Sequence, residues 1–422
     1  MVSLLRSTWV WVLCLCCLVN QVLGVEPYQD LTFKPSIKTV QLFREGKELT
    51  LPILYLNEDA RLVISFDDLV NKPKDYWIKL IHCEYDWTPS SLLAVEYFDG
   101  FQEERLTTVQ PSRGTRVHFI HYEHTFPRDN YRFKHSGNYA LVIYDADRPE
   151  QPVITRRFLV AENAAGIASD AGLSFNTAQR MRLQAVNFKV LPRRLQVMDV
   201  HQDVKVCLMQ NFRWDTRKTD LKPVFITPDS YEYRFDAAAD FEGGNEFRQF
   251  DIRNLTAQLG RVQQMDLNSN GPIQVTLNPD FPRTNNVYQK EFDLNGFYLI
   301  DNRAQRGNPA LEADYVQVEF LLKVRDGLDV QDVYILGKLT DWQPLPEARL
   351  AYEPPYYRGS LLLKQGFYNY IYASRTPQGL NETMFEGSHA ETENFYTILV
   401  YYKSYADRAT RLVGCKNLNF LE

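Results

Sequence analysis

What most constrains this chain is its alternation. Apolar, β-branched and aromatic residues recur with period two, and helical periodicity is confined to a possible turn at residues 90–95. Runs such as LVISF at 62–66, WIKLI at 77–81 and YALVIY at 139–144 put every second side chain on one face. Asn71, Pro73, Gly137, Asn138 and Pro149 punctuate them with turn chemistry. Strands separated by turns describe β-sandwiches of the immunoglobulin or fibronectin type. Aromatics at 13% favour pleated, half-buried surfaces, and 45% hydrophobic with 24% charged residues excludes a disordered or fibrous chain.

A length of 422 residues exceeds what one core serves. The expected organisation is all-β: three tandem sandwiches at 25–163, 164–309 and 310–422, following a signal peptide at 1–24. In that leader Arg6 precedes a short apolar run from Trp9 to Val19, and Gly24 stands at the cut. The run is too short for a ~30 Å hydrocarbon core, and Leu13, Leu15 and Cys16, which precede the leader cysteines, disfavour lipid attachment. The small-residue stretch 163–172 reads as a linker. Cys83, Cys207 and Cys415 are too few and too far apart for a disulfide framework. A net charge of −6 without a basic run excludes a nucleic-acid binder.

Signatures of catalytic chemistry are scarce in the sequence. Gly337 and Lys338 are followed by Leu339, so no phosphate-binding loop forms, and no nucleophile elbow is present. His118, His121 and His124 have a spacing that suggests zinc, but on a strand His121 faces away from the other two. Asp266, Asn268, Asn270 and Gly271 imitate a calcium loop until Leu277 takes the bidentate position, so a hairpin tip is the simpler reading. Asp67 with Asp68, and Glu103 with Glu104, read as solvated loop pairs. No enzyme, metal site or cofactor is expected, and no partner-binding residue can be named.

Two resemblances go further. VYILGKLTDW at 333–342 resembles the glycogen-binding modules, immunoglobulin-like domains whose tryptophans stack on sugar; Trp342 would be the platform. Across the whole chain, several stretches resemble the plug proteins of the type IX secretion system of Bacteroidota. They are IHCEYDW at 81–87, EYFDGF at 96–101, SGNY at 136–139, QNFRWD at 210–215, FEGGNEFRQFD at 241–251, LKQGFYNY at 363–370 and EGSHAETEN at 386–394. Locally, Gly243 and Gly244 suit a tight turn, and Arg248 could pair with Glu246 or Asp251 across strands. The plug resemblance implies a non-catalytic periplasmic subunit, monomeric within its complex. It would close the periplasmic opening of a giant outer-membrane translocon barrel and meet the membrane only through that partner. The alternative is an exported carbohydrate-binding array that uses Trp342.

Overall fold

The computed structural model describes residues 27–234, 237–268, 271–304, 307–324 and 330–420, so the leader expected at 1–24 lies outside the described residues. Short helical turns aside, the described chain is β-structure arranged around three principal cores.

The N-terminal sandwich packs two sheets. One runs Leu31–Thr32, Arg148–Ala161, Gly137–Asp145, Tyr76–Cys83, Glu103–Arg105, and the other Ile37–Arg44, Leu62–Asp68, Ile120–Phe126, Thr108–Pro111. Strand Tyr76–Cys83 alternates between buried and half-buried along most of its length, as period two demands. Inward-facing Phe66 and Tyr122 stack with centroids 5.0 Å apart, and Tyr139, Leu141 and Phe158 meet them from the opposite sheet.

The second sandwich is assembled from distant parts of the chain. Its first sheet holds Gly166–Leu173, Leu183–Leu191, Tyr231–Tyr233 and Phe225–Ile226, with Asp240–Glu242 also paired to Leu183–Leu191. Its second sheet is Val204–Gln210, Phe395–Tyr402 and Arg411–Asn419, and the shared core mixes Val186 and Phe188 with Tyr396, Ile398 and Val413. Between Asp240–Glu242 and Phe395–Tyr402 the chain builds the third unit. Its sheet runs Arg248–Asp251, Gly366–Thr376, Val333–Leu336, Arg349–Glu353, Tyr356–Lys364, Tyr315–Lys323, Ile273–Leu277, Val262–Asp266. Ile273–Leu277 and Tyr315–Lys323 pair in parallel.

Two expectations need correction. Cutting the chain at 309/310 separates paired strands, because Phe395–Tyr402 pairs with Val204–Gln210 while Ile273–Leu277 pairs with Tyr315–Lys323. The units are nested, not tandem after residue 163. Composition is blind to this, since strands of either core carry the same alternation. The proposed linker also contains a strand: Gly166–Leu173 pairs with Leu183–Leu191 over its whole length. An edge strand is held through its backbone, so small side chains suffice there. The hairpin expected around Asp266 does form, with Met265 opposite Val275 and Asp266 opposite Gln274; residues 269–270 lie outside the described residues.

Candidate functional site

The polar residues of this protein converge where the cores meet. On the N-terminal sandwich Asp67 and His121 are cross-strand partners, and on the third unit Tyr315 and Lys364 are partners too. These pairs face each other. Asp67 Oδ1 lies 2.7 Å from His121 Nδ1, while Lys364 Nζ and Tyr315 OH each donate to Asp67 Oδ2 at 2.7 Å. Burial works to raise the Asp67 carboxyl, but Lys364 and His121 outweigh it and hold the carboxyl below its ordinary value. Beside this cluster Asp314 accepts from the amides of Arg116 and Val117 at 2.7 and 3.0 Å.

Asp67 and Asp68, read from the sequence as solvated, are thus 1% and 0% exposed. Glu103 and Glu104 likewise lie in a strand, not a loop. Of the three histidines, His121 joins the Asp67 cluster, and His118 is exposed. His124 is buried near Glu104 at 3.8 Å, and burial together with Arg128 lowers it to about 4. Among the described residues no group of three His, Cys, Asp or Glu is placed to hold a metal ion.

The first and second sandwiches share an apolar core. Ile53, Cys83, Trp87, Ala140 and Leu159 pack with Cys207, Met209, Leu399, Tyr401 and Leu412. Tyr401 OH donates to Asn138 Oδ1 at 2.8 Å, and Glu84 Oε2 accepts from the Thr410 amide at 3.0 Å. The Arg157 guanidinium lies 4.3 Å from the Trp87 ring and 5.2 Å from Trp214. Burial pushes the Cys83 and Cys207 thiols up to about 12, far from a reactive thiolate.

The second and third units meet around Arg213. It pairs with Asp215 and Glu382, both at 2.5 Å, and its guanidinium covers the Trp342 ring at 4.0 Å. Phe247 packs edge-on against the same ring, and a Cβ on Gly296 would come within 2.5 Å of it. Trp342 is therefore 6% exposed and offers no open face for a sugar. Next to it Arg156 pairs with Asp341 at 2.7 Å, and Lys338 bridges Asp341 and Asp30 at 3.0 and 3.3 Å. A cavity of about 260 Å³ at this point touches all three units, bounded by Arg156, Trp214, Tyr298 and Lys338. Deeper in the third unit Arg248 binds Glu386 at 2.9 Å and Asp280 at 2.8 Å, neither being the cross-strand partner expected from the sequence.

These contacts explain the stretches singled out from the sequence. Residues of 81–87, 136–139, 210–215, 363–370 and 386–394 supply the ties between units: Glu84, Asn138, Arg213, Lys364 and Asn394, the last reaching Gln184 at 2.9 Å. Asn138, Arg213, Lys364 and Asn394 are buried and Glu84 is half-buried, and their polar groups are engaged in holding the cores together. Large exposed apolar groups include Phe101, at the end of the 96–101 stretch, at 71%, and, outside those stretches, Phe292 at 81% and Tyr405 at 96%.

The molecule is thus an all-β body of packed units bound by buried ion pairs. Residues 37–162 match the family model for the first domain of the type 9 secretion system plug protein. That match supports an association with type IX secretion and protein transport. A crystal structure of a hypothetical protein from Parabacteroides merdae is similar, at 29% identity and a TM-score of 0.87, covering 93% of this chain and 99% of that one. No curated protein sequence matches.

Proposed function

We propose that this protein is a non-catalytic plug that docks on the periplasmic opening of the giant outer-membrane barrel of the type IX translocon and occludes it. The observation that carries this reading is the plug-protein first domain at 37–162. The junctions support it physically. A stopper must resist deformation, and here the N-terminal sandwich is tied to the third unit through Asp67 and to the second through a continuous apolar core. Occlusion then needs only a complementary interface above ~1,000 Å² and no reacting group. With its units tied in this way, release is a rigid-body departure, driven by a component that binds the open barrel better than the closed one.

Affinity isolation of the tagged protein from detergent-solubilised outer membranes, read by mass spectrometry, tests this. Near-stoichiometric recovery of a giant β-barrel protein is the expected result. Recovery of no membrane partner, where that barrel is extracted intact, sinks the reading.

A further inference from the structure

The cavity of about 260 Å³ among the three units has a chemistry of its own. Ligand pockets usually span ~300–1,000 Å³, so this one suits a single small molecule. Its walls are aromatic: Phe212 and Trp214 come from the second sandwich, Phe297 from the third unit and Phe43 from the N-terminal sandwich. Phe43 is buried, the other three are half-buried, and exposed Glu48 stands at the rim.

The polar groups of the lining favour an anion. Arg156, 3% exposed, donates to Asp341 Oδ2, Thr32 Oγ1 and the Leu31 and Thr155 carbonyls, while its buried Nε has no partner. A buried N–H in that position calls for an acceptor. Arg157 Nε donates to the Tyr28 carbonyl, and Arg217 Nη1 to the Trp214 carbonyl at 2.7 Å. Burial lowers Arg157 to about 10 although Asp30 lies near it, and burial lowers Arg217 as well. Burial would lower Arg213 too, but there Glu382 and Asp215 hold the guanidinium above its ordinary value. An anion beside Arg157 and Arg217 would favour their charged forms in the same way. The carboxylates of the lining are matched already: Asp341 faces Arg156 and Lys338, Asp30 faces Lys338, and Asp215 faces Arg213. A cationic ligand would be left with Glu48 at the rim.

We propose that this cavity binds a small aromatic carboxylate, its ring among the aromatic walls and its carboxylate held by the guanidinium groups of the lining. Guanidinium and carboxylate are matched planar partners, able to form two parallel hydrogen bonds. The flat ring suits Phe212, Trp214 and Phe297, which give it apolar contact without a further polar group to satisfy. Because all three units line the cavity, such a ligand bridges them and stabilises their assembled arrangement by mass action. The site goes beyond the plug reading and does not depend on it.

Isothermal titration of the full-length protein with cinnamate tests the site, with cinnamamide as the neutral counterpart. Saturable one-to-one binding of cinnamate is expected, roughly tenfold or more tighter than cinnamamide, together with a rise in melting temperature. Arg217→Gln removes one guanidinium from the lining and should weaken cinnamate roughly tenfold while leaving cinnamamide nearly unchanged. Gln343→Trp crowds the same cavity from the third unit and should abolish binding of both probes; it decides the matter if Arg217→Gln does not fold. No saturable binding of cinnamate at millimolar concentration, equal binding of the two probes, or undiminished binding by a folded variant overturns the proposal.

Discussion

Removing the ammonium of Lys364 tests how the N-terminal sandwich is held. Lys364 and Asp67 are each 1% exposed and 2.7 Å apart. At an effective dielectric of about 20 their attraction is about 6 kcal/mol, most of it offset by desolvation of both ions. Lys364→Met avoids that desolvation for the lysine but leaves the carboxylate stranded, and breaking one side of a buried pair costs about 3–5 kcal/mol. The double variant Asp67→Asn/Lys364→Met should recover much of the loss, because no charge is then left unpaired. A pH signature separates this from a packing defect. In Lys364→Met the remaining cation is His121, whose imidazole burial would lower but whose hydrogen bond to Asp67 holds it above its ordinary value. A group raised in this way stabilises below its unfolded pKa, and that stability is lost as pH rises through the folded one. The variant should therefore weaken further between about pH 6 and pH 8, more steeply than wild type. Urea denaturation at the two pH values, with exchange of the Arg116 and Val117 amides as the local readout, provides the comparison. A single variant within about 1 kcal/mol of wild type, or a double variant no better than the single, would refute the reasoning.

Three further outcomes follow from the same structure. Trp342→Ala removes a ring enclosed by Arg213, Phe247 and Gly296, and should cost about 3–5 kcal/mol in urea denaturation; a cost below about 1 kcal/mol would mean the ring is not enclosed. Gly243→Ala places a Cβ 2.0 Å from the His389 carbonyl oxygen, whereas Gly46→Ala meets nothing within 4 Å and bears only the left-handed penalty at φ +71. Melting should show a far larger loss for Gly243, and equal losses would contradict the close approach. A fragment of 245–394 should fold alone by circular dichroism and NMR, while 310–422 should not, because its strand Phe395–Tyr402 pairs with Val204–Gln210; a folded 310–422 fragment would contradict the nesting.

Much was legible before any coordinates. Period-two alternation dictated strands because a pleated chain presents successive side chains to opposite faces, and LVISF and YALVIY became strands of opposed sheets in one sandwich. The tip at Asp266 was readable because turn chemistry acts within a few residues. Local pattern also carried the family resemblance, in stretches that prove to be ties between units. It could not say which core a strand joins: Phe395–Tyr402 looks like any other alternating run, and only its pairing with Val204–Gln210 places it in the second sandwich.

The environment of a side chain was equally out of reach. Asp67 looks like a solvated acid because its neutralising groups, Lys364 and Tyr315, stand far away in sequence. Trp342 looks like a sugar platform because the guanidinium that covers it belongs to Arg213. Strand character depends on near neighbours along the chain, so the sequence alone determined the β class. Burial, pairing and protonation depend on neighbours in space, so only the tertiary structure could decide which charges weld this molecule together.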